Sequence, residues 1–268
     1  TLPIITQLAR SAGMKVGVVS SSTLDDATPA AFYAHSVSRS AYYDIALQIA
    51  GSGVDYFAGG GLRRPTGPKK DRPDAFGPIR DAGYRVTMTR DDFDRLNAAS
   101  GRVFAVMRPI PYDIDRREGG ISLAELAAKG IELLDNPKGF FLMVEGGKID
   151  LACHATDAET AVRETLAFDD AVRVAYDFYR RRPRETLVVV LGDHETGGMS
   201  VDAAAGTERL HSVLSRQKSS HLRFDSFMAN YIRTHTSRTA RFGDVAGDLA
   251  EFFGFRYPAG FGEGRSAA

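Results

Sequence analysis

Cysteine is almost missing. Cys153 is the single one in 268 residues, so no disulfide can form within the chain and thiol content does not report a redox compartment. Net charge is missing as well: 34 Lys plus Arg stand against 34 Asp plus Glu, which excludes an overall field steering the protein toward nucleic acid or an anionic membrane. Any anion it binds must be held by local chemistry. No apolar run has the length of a membrane span, and no internal repeat or low-complexity tract occurs. The first residue is Thr1, with no initiator Met, basic segment or apolar signal after it, and the helical spacing Leu2, Ile5, Leu8 begins at once. This reads as a chain cut from a longer one.

What is present is a globular composition, 43% hydrophobic and 25% charged, of a length that a single layered α/β unit can reach. Short apolar runs rich in β-branched residues occur at 15–20, 55–58, 84–87, 103–107, 140–145 and 186–192. Between them lie helical patterns at 41–50, 91–98, 122–134 and 157–181. Such alternation predicts an α/β fold, a three-layer αβα sandwich with a mostly parallel central sheet. Ligands of these sheets gather beyond the carboxyl ends of the strands, so polar residues just after a strand are the first suspects. Past Gly197 the alternation stops. The expected division is therefore a partial αβα core at 1–199, a helical insertion or crown at 200–256 with helices near 224–232 and 245–253, and a disordered tail at 257–268. The loop at 59–73, rich in Gly, Pro, Lys and Arg, reads as a solvated surface excursion.

Three clusters follow predicted strands. Asp25-Asp26-Ala27-Thr28-Pro29, with Arg39 beyond it, suits helix capping as well as ligation. In the second, a strand delivers Glu145, two glycines turn the chain, and Asp150 and His154 stand four apart, on one face of a helical turn. A carboxylate and an imidazole at that spacing suit zinc, although Asp150 as a cap and His154 as a surface histidine account for the same residues. In the third, the apolar run ends in Gly192-Asp193-His194-Glu195-Thr196-Gly197-Gly198. Charge abutting a buried strand is costly unless it is paired or ligated, so a metal is the more economical account there. Together Glu145, Asp150, His154, Asp193 and His194 are too many ligands for one zinc and suit two metals, which can clamp the attacking and leaving oxygens of a displacement at phosphorus. Arg39 could grip the non-bridging oxygens bidentately.

In order and spacing, Asp26-Ala27-Thr28-Pro29-Ala30-Ala31 with Ser38-Arg39, Glu145-Gly146-Gly147-Lys148-Ile149-Asp150 with His154-Ala155-Thr156-Asp157, and the stretch from Gly192 to Gly198 resemble the alkaline phosphatase family. The resemblance implies that Asp150 and His154 hold a first zinc, Asp193 and His194 a second, and Asp26, Thr28 and Glu145 a magnesium, with Arg39 on the substrate phosphate. It also implies phosphate monoester hydrolysis through a phosphoserine intermediate, a periplasmic or extracellular parent, and room for a homodimer in the full-length protein. Inorganic phosphate and phosphate monoesters are then the partners, without nucleic acid.

The departures define the alternatives. No Asp-Ser-Ala motif carrying a nucleophile occurs, so the fold is expected to be incomplete at both ends and this chain alone weakly active or inactive. Ser20, Ser21 and Ser22 are poor nucleophile candidates, since they precede the magnesium motif. His235-Thr236-Ser237 only superficially matches the His-Thr-Gly context of a last zinc ligand. His211 and His221 read as surface residues, and Cys153 as a bystander thiol beside His154. A non-catalytic metal- or phosphate-binding fragment, or a phosphodiesterase or sulfatase of the same superfamily, are the competing readings.

Overall fold

The computed structural model describes residues 2–107, 110–200, 212–255 and 257. They divide into two compact units. One comprises Thr1–Ile110, Arg117–Lys148 and Thr165–Leu191, and the other Pro111–Arg116, Ile149–Glu164 and Gly192–Ala268.

In the first unit, strands β1 (Lys15–Ser20), β2 (Tyr56–Gly59), β3 (Arg85–Thr87), β4 (Val103–Val106) and β5 (Phe140–Glu145) form one sheet in the order β3-β4-β2-β1-β5. Every pairing is parallel. Parallel sheets are covered on both faces, which is why these strands are near-continuous apolar runs. Alternate residues face opposite layers. Val18, Phe57 and Phe104 pack with α3 (Tyr42–Ser52) and α4 (Phe76–Asp81). Their neighbours Val19, Tyr56, Ala58 and Ala105 pack instead with α5 (Arg90–Asp94) and α6 (Leu123–Leu134). The result is the predicted three-layer α/β arrangement. Tyr56, Phe57 and Phe104 are fully buried, and each such side chain contributes about 1.5–3 kcal/mol by leaving water.

Local chemistry starts and seats these helices. Ser122 opens α6 with a reciprocal cap: Glu125 N–H donates to Ser122 Oγ at 3.1 Å, and Ser122 N–H donates to Glu125 Oε2 at 2.8 Å. A Cβ on Gly17 would lie 2.7 Å from Leu134 Cδ1 and from Leu142 Cδ1, so glycine lets α6 sit directly on β1.

Five of the six predicted strands form, with ends shifted by at most a residue or so. The run 186–192 forms no strand. Leu187, Val189, Val190 and Leu191 are exposed. β-propensity alone does not make a strand; it needs a neighbour to complete the ladder, and no described strand pairs with this run.

The second unit has a mixed core. Tyr112, Ala152 and Ala161 form its small buried apolar cluster. Around it lie buried polar groups: Asp157, Thr160, Glu164, Ser219 and Ser220. Helices His221–Thr234 and Phe242–Phe253, each somewhat longer than its sequence pattern, contain no buried residue and meet through aromatic rings, with Phe224 and Phe253 centroids 5.0 Å apart. Residues 201–211, including His211, and all of the predicted tail at 257–268 except Tyr257 lie outside the described residues.

Candidate functional site

The register of the first unit sets Ser20 opposite both Gly59 and Glu145, so β1, β2 and β5 end level. The chain then folds back on that edge. Ser20 Oγ donates to Glu145 Oε2 at 2.5 Å and accepts from Ser22 N–H at 2.9 Å. Ser22 Oγ reaches Asp26 Oδ2 at 3.5 Å. Asp26 is the N-cap of α2 (Ala27–Ala31), and Arg39 Nη2 lies 3.3 Å from its Oδ1. Thr28 sits in the first turn of α2. Capping and the expected ligand role therefore meet in one residue, Asp26, while Pro29 occupies the third helical position and not the first. Ser20, Ser21 and Ser22 are all buried, and their hydroxyls brace this edge.

Asp25 matters more than its position beside Asp26 suggested. Its carboxylate is fully buried and accepts the Arg63 N–H on both oxygens, at 3.0 and 2.9 Å. Burial raises its pKa, against the backbone donors of Arg63 and Arg64 and the Thr23 hydroxyl, which lower it. The loop at 59–73 is thereby tied to the Asp25-Asp26 turn. Gly59 and Gly60 make that approach feasible, since a Cβ on Gly59 would stand 2.6 Å from the Ser20 carbonyl oxygen.

In the second unit, the end of α7 (Gly147–His154) presents Asp150 and His154 on one face, with His154 Nε2 3.6 Å from Asp150 Oδ2. Thr196 Oγ1 donates to Asp150 Oδ1 at 2.7 Å and lies 3.1 Å from His194 Nδ1. His194 Nε2 is 3.3 Å from Asp193 Oδ2. Gly197, at φ 85°, approaches the Cys153 carbonyl so closely that a Cβ would sit 2.5 Å from its oxygen. The four residues expected to bind zinc are thus joined through Thr196 into one polar chain, running from His154 and Asp150 to His194 and Asp193. Thr196 carries no role in the sequence reading, although a hydroxyl between Asp-His and Gly-Gly was in plain view. Contrary to the expectation from sequence, Asp193 and His194 do not abut a buried strand, and their side chains are 69% and 59% exposed. Ligation has to be argued from grouping, not from a burial penalty.

The donor chemistry fits the expected ions: imidazole with carboxylate for zinc, and oxygen alone from Asp26, Thr28 and Glu145 for magnesium. Among the described residues, no group of three or more His, Cys, Asp or Glu side chains is placed to hold an ion. The residues expected to bind zinc approach one another in two pairs, Asp150 with His154 and Asp193 with His194. Burial, then the Asp150 and Glu195 charges, push the Cys153 thiol up, away from thiolate character. His235 ends helix His221–Thr234 and stacks on Tyr231 at 4.0 Å.

His221 is not the surface residue expected. Its backbone N–H donates to Asp157 Oδ2 at 2.8 Å, its Nδ1 lies 3.0 Å from the same oxygen, and its ring faces Tyr112 at 5.6 Å. Asp115 binds the preceding residue, accepting from Ser220 N–H at 3.0 Å. Burial, followed by Glu164, Asp157 and Asp115, pushes the Tyr112 hydroxyl up to about 12, so it stays neutral. Nothing local in the sequence joins Asp157 to a histidine 64 residues away.

The first unit is a parallel αβα sheet with carboxylates at its carboxyl edge, the second groups Asp and His side chains, and comparison with known proteins shows the family. The family model described as alkaline phosphatase matches residues 2–58 and 66–247. The alkaline phosphatase of Schizosaccharomyces pombe is 32% identical over 218 residues, covering 74% of this chain and 41% of that protein. The crystal structure of Thermus thermophilus alkaline phosphatase superposes with a TM-score of 0.77 at 29% identity, over 95% of this chain and 54% of that one. A variant of TAB5 alkaline phosphatase with magnesium bound superposes at 0.59 with 29% identity, over 66% of this chain and 51% of that one. The chain belongs to the alkaline phosphatase family. It spans less than half the length of the first curated relatives it matches, 41%, 40% and 49%.

Proposed function

We propose that the protein hydrolyses phosphate monoesters with two zinc ions and one magnesium ion, through a phosphoserine intermediate. The observation that carries this reading is the polar chain in which Thr196 joins Asp150 to His194, grouping two carboxylates and two imidazoles. Asp150 with His154 and Asp193 with His194 would hold the zinc ions, and Asp26, Thr28 and Glu145 the magnesium. When bound, the metals supply positive charge at the phosphoryl oxygens and lower the pKa of an attacking hydroxyl or water.

The chain's own residues do the rest. Arg39, 69% exposed at the side chain and, among the described residues, ion-paired with Asp26, has guanidinium donors to spare for two non-bridging oxygens of a phosphate. Ser20 orients Glu145, and Thr196 fixes the angle of Asp150 and His194, as supporting hydrogen bonds do around metal ligands. The serines beside the edge are buried and engaged, which supports a nucleophile outside residues 1–268. Export to the periplasm or the extracellular space, and a homodimer, complete the reading on family membership alone. Among the described residues, no helix is long and apolar enough to cross a membrane.

The test is phosphomonoesterase activity at alkaline pH with zinc and magnesium, for this chain and for the product of the whole gene. Activity confined to the whole product, and abolished by a chelator, is expected. A metal-loaded whole product that hydrolyses no monoester would refute the reading, and full activity in these 268 residues would refute the external serine.

A further inference from the structure

The sequence is electrically neutral overall, yet residues 59–74 carry five cations (Arg63, Arg64, Lys69, Lys70, Arg72) against two acids (Asp71, Asp74). The structure does not leave this loop as a loose excursion. Besides the two bonds from Arg63 N–H to Asp25, Arg72 N–H donates to the Thr66 carbonyl at 3.0 Å and Ala75 N–H to the Pro65 carbonyl at 2.8 Å. The folded loop sets its guanidinium groups around the start of α3. Arg63 Nη1 donates to Tyr42 Oη at 3.0 Å, and the guanidinium carbons of Arg63 and Arg64 stand 4.9 and 5.5 Å from the Tyr42 ring centroid. Arg72 lies 5.0 Å from the Tyr43 ring and is ion-paired with Asp44 at 3.1 Å. A small cavity of about 100 Å³ opens here, lined by Ser40, Tyr42, Arg64 and Arg72 among others. Arg63 and Arg64 are exposed, and among the described residues neither is ion-paired with a carboxylate.

This patch adjoins the residue assigned to the phosphate. Arg39 precedes Tyr42 by three residues, so their backbones are at most about 11 Å apart, and Ala41 N–H donates to the Ser38 carbonyl at 3.2 Å across the turn between them. Asp26 pairs with Arg39 while its neighbour Asp25 holds the Arg63 backbone, so one turn fixes both positions. Aromatic stacking keeps guanidinium groups extended, and although Arg63 Nη1 donates to Tyr42, each guanidinium has further N–H groups to offer an anion. We infer that Arg63 and Arg64, braced on Tyr42, form a subsite for a second phosphoryl group on the leaving group, so that the protein favours substrates carrying two phosphates over simple monoesters. The inference rests on the assignment of Arg39 to the scissile phosphate.

The experiment compares hexose 1,6-bisphosphate with hexose 6-phosphate as substrates of the metal-loaded product of the whole gene. The expected result is a kcat/KM about tenfold higher for the bisphosphate, carried by KM, as charge-assisted contacts to one extra phosphate would give. In the Arg63→Ala/Arg64→Ala variant the ratio should fall to about one, and in Arg95→Ala, an exposed control in α5's C-terminal cap, it should persist. High salt should shrink the preference, since these charges are exposed. Equal efficiency on both esters, or a preference that survives the double variant, overturns the inference while leaving the proposed activity intact. If neither ester is hydrolysed, the activity reading fails, and calorimetric titration with inorganic triphosphate decides the subsite. Binding heat lost in the double variant supports it, and heat unchanged by the variant overturns it.

Discussion

Asp157→Asn should strongly destabilise the second unit. The carboxylate is 3% exposed at the side chain and is used on both oxygens. Oδ1 accepts from Gln217 Nε2 at 2.6 Å and from Thr160 N–H at 3.3 Å, and Oδ2 faces His221 N–H at 2.8 Å and His221 Nδ1 at 3.0 Å. An amide of the same shape must turn its NH2 toward one of these pairs, setting donor against donor whichever way it flips. A buried donor left unsatisfied costs about 1–3 kcal/mol, and a broken buried charge contact costs more, so the sum is about 3–5 kcal/mol. At about 1.4 kcal/mol per factor of ten, amide exchange at the start of helix His221–Thr234 should accelerate by about 10²–10⁴. Hydrogen exchange read by mass spectrometry on peptides spanning 212–234 measures this. The exposed Asp169, 3.7 Å from Arg173, serves as the control, and its Asn variant should change stability by less than about 1 kcal/mol. The pH dependence has a defined sign. Burial raises the Asp157 pKa, but the donors from His221, Gln217 and Thr160 outweigh it, and the net value lies below 3.8. The carboxylate's contribution is therefore complete at neutral pH and is lost as the pH falls below 3.8 through the folded-state value. The gap between wild type and Asp157→Asn should narrow in acid. An exchange rate changed less than fivefold at neutral pH, or a gap that widens in acid, would show that the helix is held by something else.

Three further outcomes follow from separate contacts. Gly17→Val should cost about 1–3 kcal/mol in urea denaturation because its side chain would be driven into Leu134 and Leu142, whereas Gly51→Ala, in α3 with nothing within 4 Å of the added Cβ, should add about 0.5–1 kcal/mol. Thr196→Val should weaken zinc retention about 10–100-fold in a competition titration with a chelator, and Thr196→Ser should restore it, because the hydroxyl and not the methyl bridges Asp150 and His194. Arg39→Ala should lower kcat/KM for a phosphate monoester in the whole gene product by about 10²-fold with metal content unchanged, as expected when a donor to developing charge is removed.

How much of this could be read from the sequence depends on how local the constraint is. Lys15–Ser20 and Phe140–Glu145 are legible to the residue because each is a short apolar run that ends where polar residues begin, although only the first is buried through most of its length and the second, at the sheet edge, is half-buried throughout. The pairing of Asp150 with His154 was legible because helical spacing fixes it within five residues. The stretch 186–192 has the same composition as the buried strands and still forms none, because composition reports what a segment can do and the ladder depends on a partner elsewhere. The same limit applies to Thr196: its motif was visible, but its contact with Asp150 crosses 46 residues.

Polar residues were misread in a more instructive way. Asp25, Asp157 and His221 are ordinary surface types, and average behaviour places them in water. The two carboxylates are instead drawn in by backbone N–H groups that the fold would otherwise leave without acceptors, Arg63 for Asp25, and His221 with Thr160 for Asp157, and His221 follows as the partner of Asp157. The demand comes from the backbone and has no signature in the residue that answers it. This is also why the loop at 59–73 looked dispensable. Its composition is that of a solvated excursion, and only the buried Asp25 carboxylate shows that its backbone at Arg63 is tied to the turn that carries Asp26 and leads into Thr28.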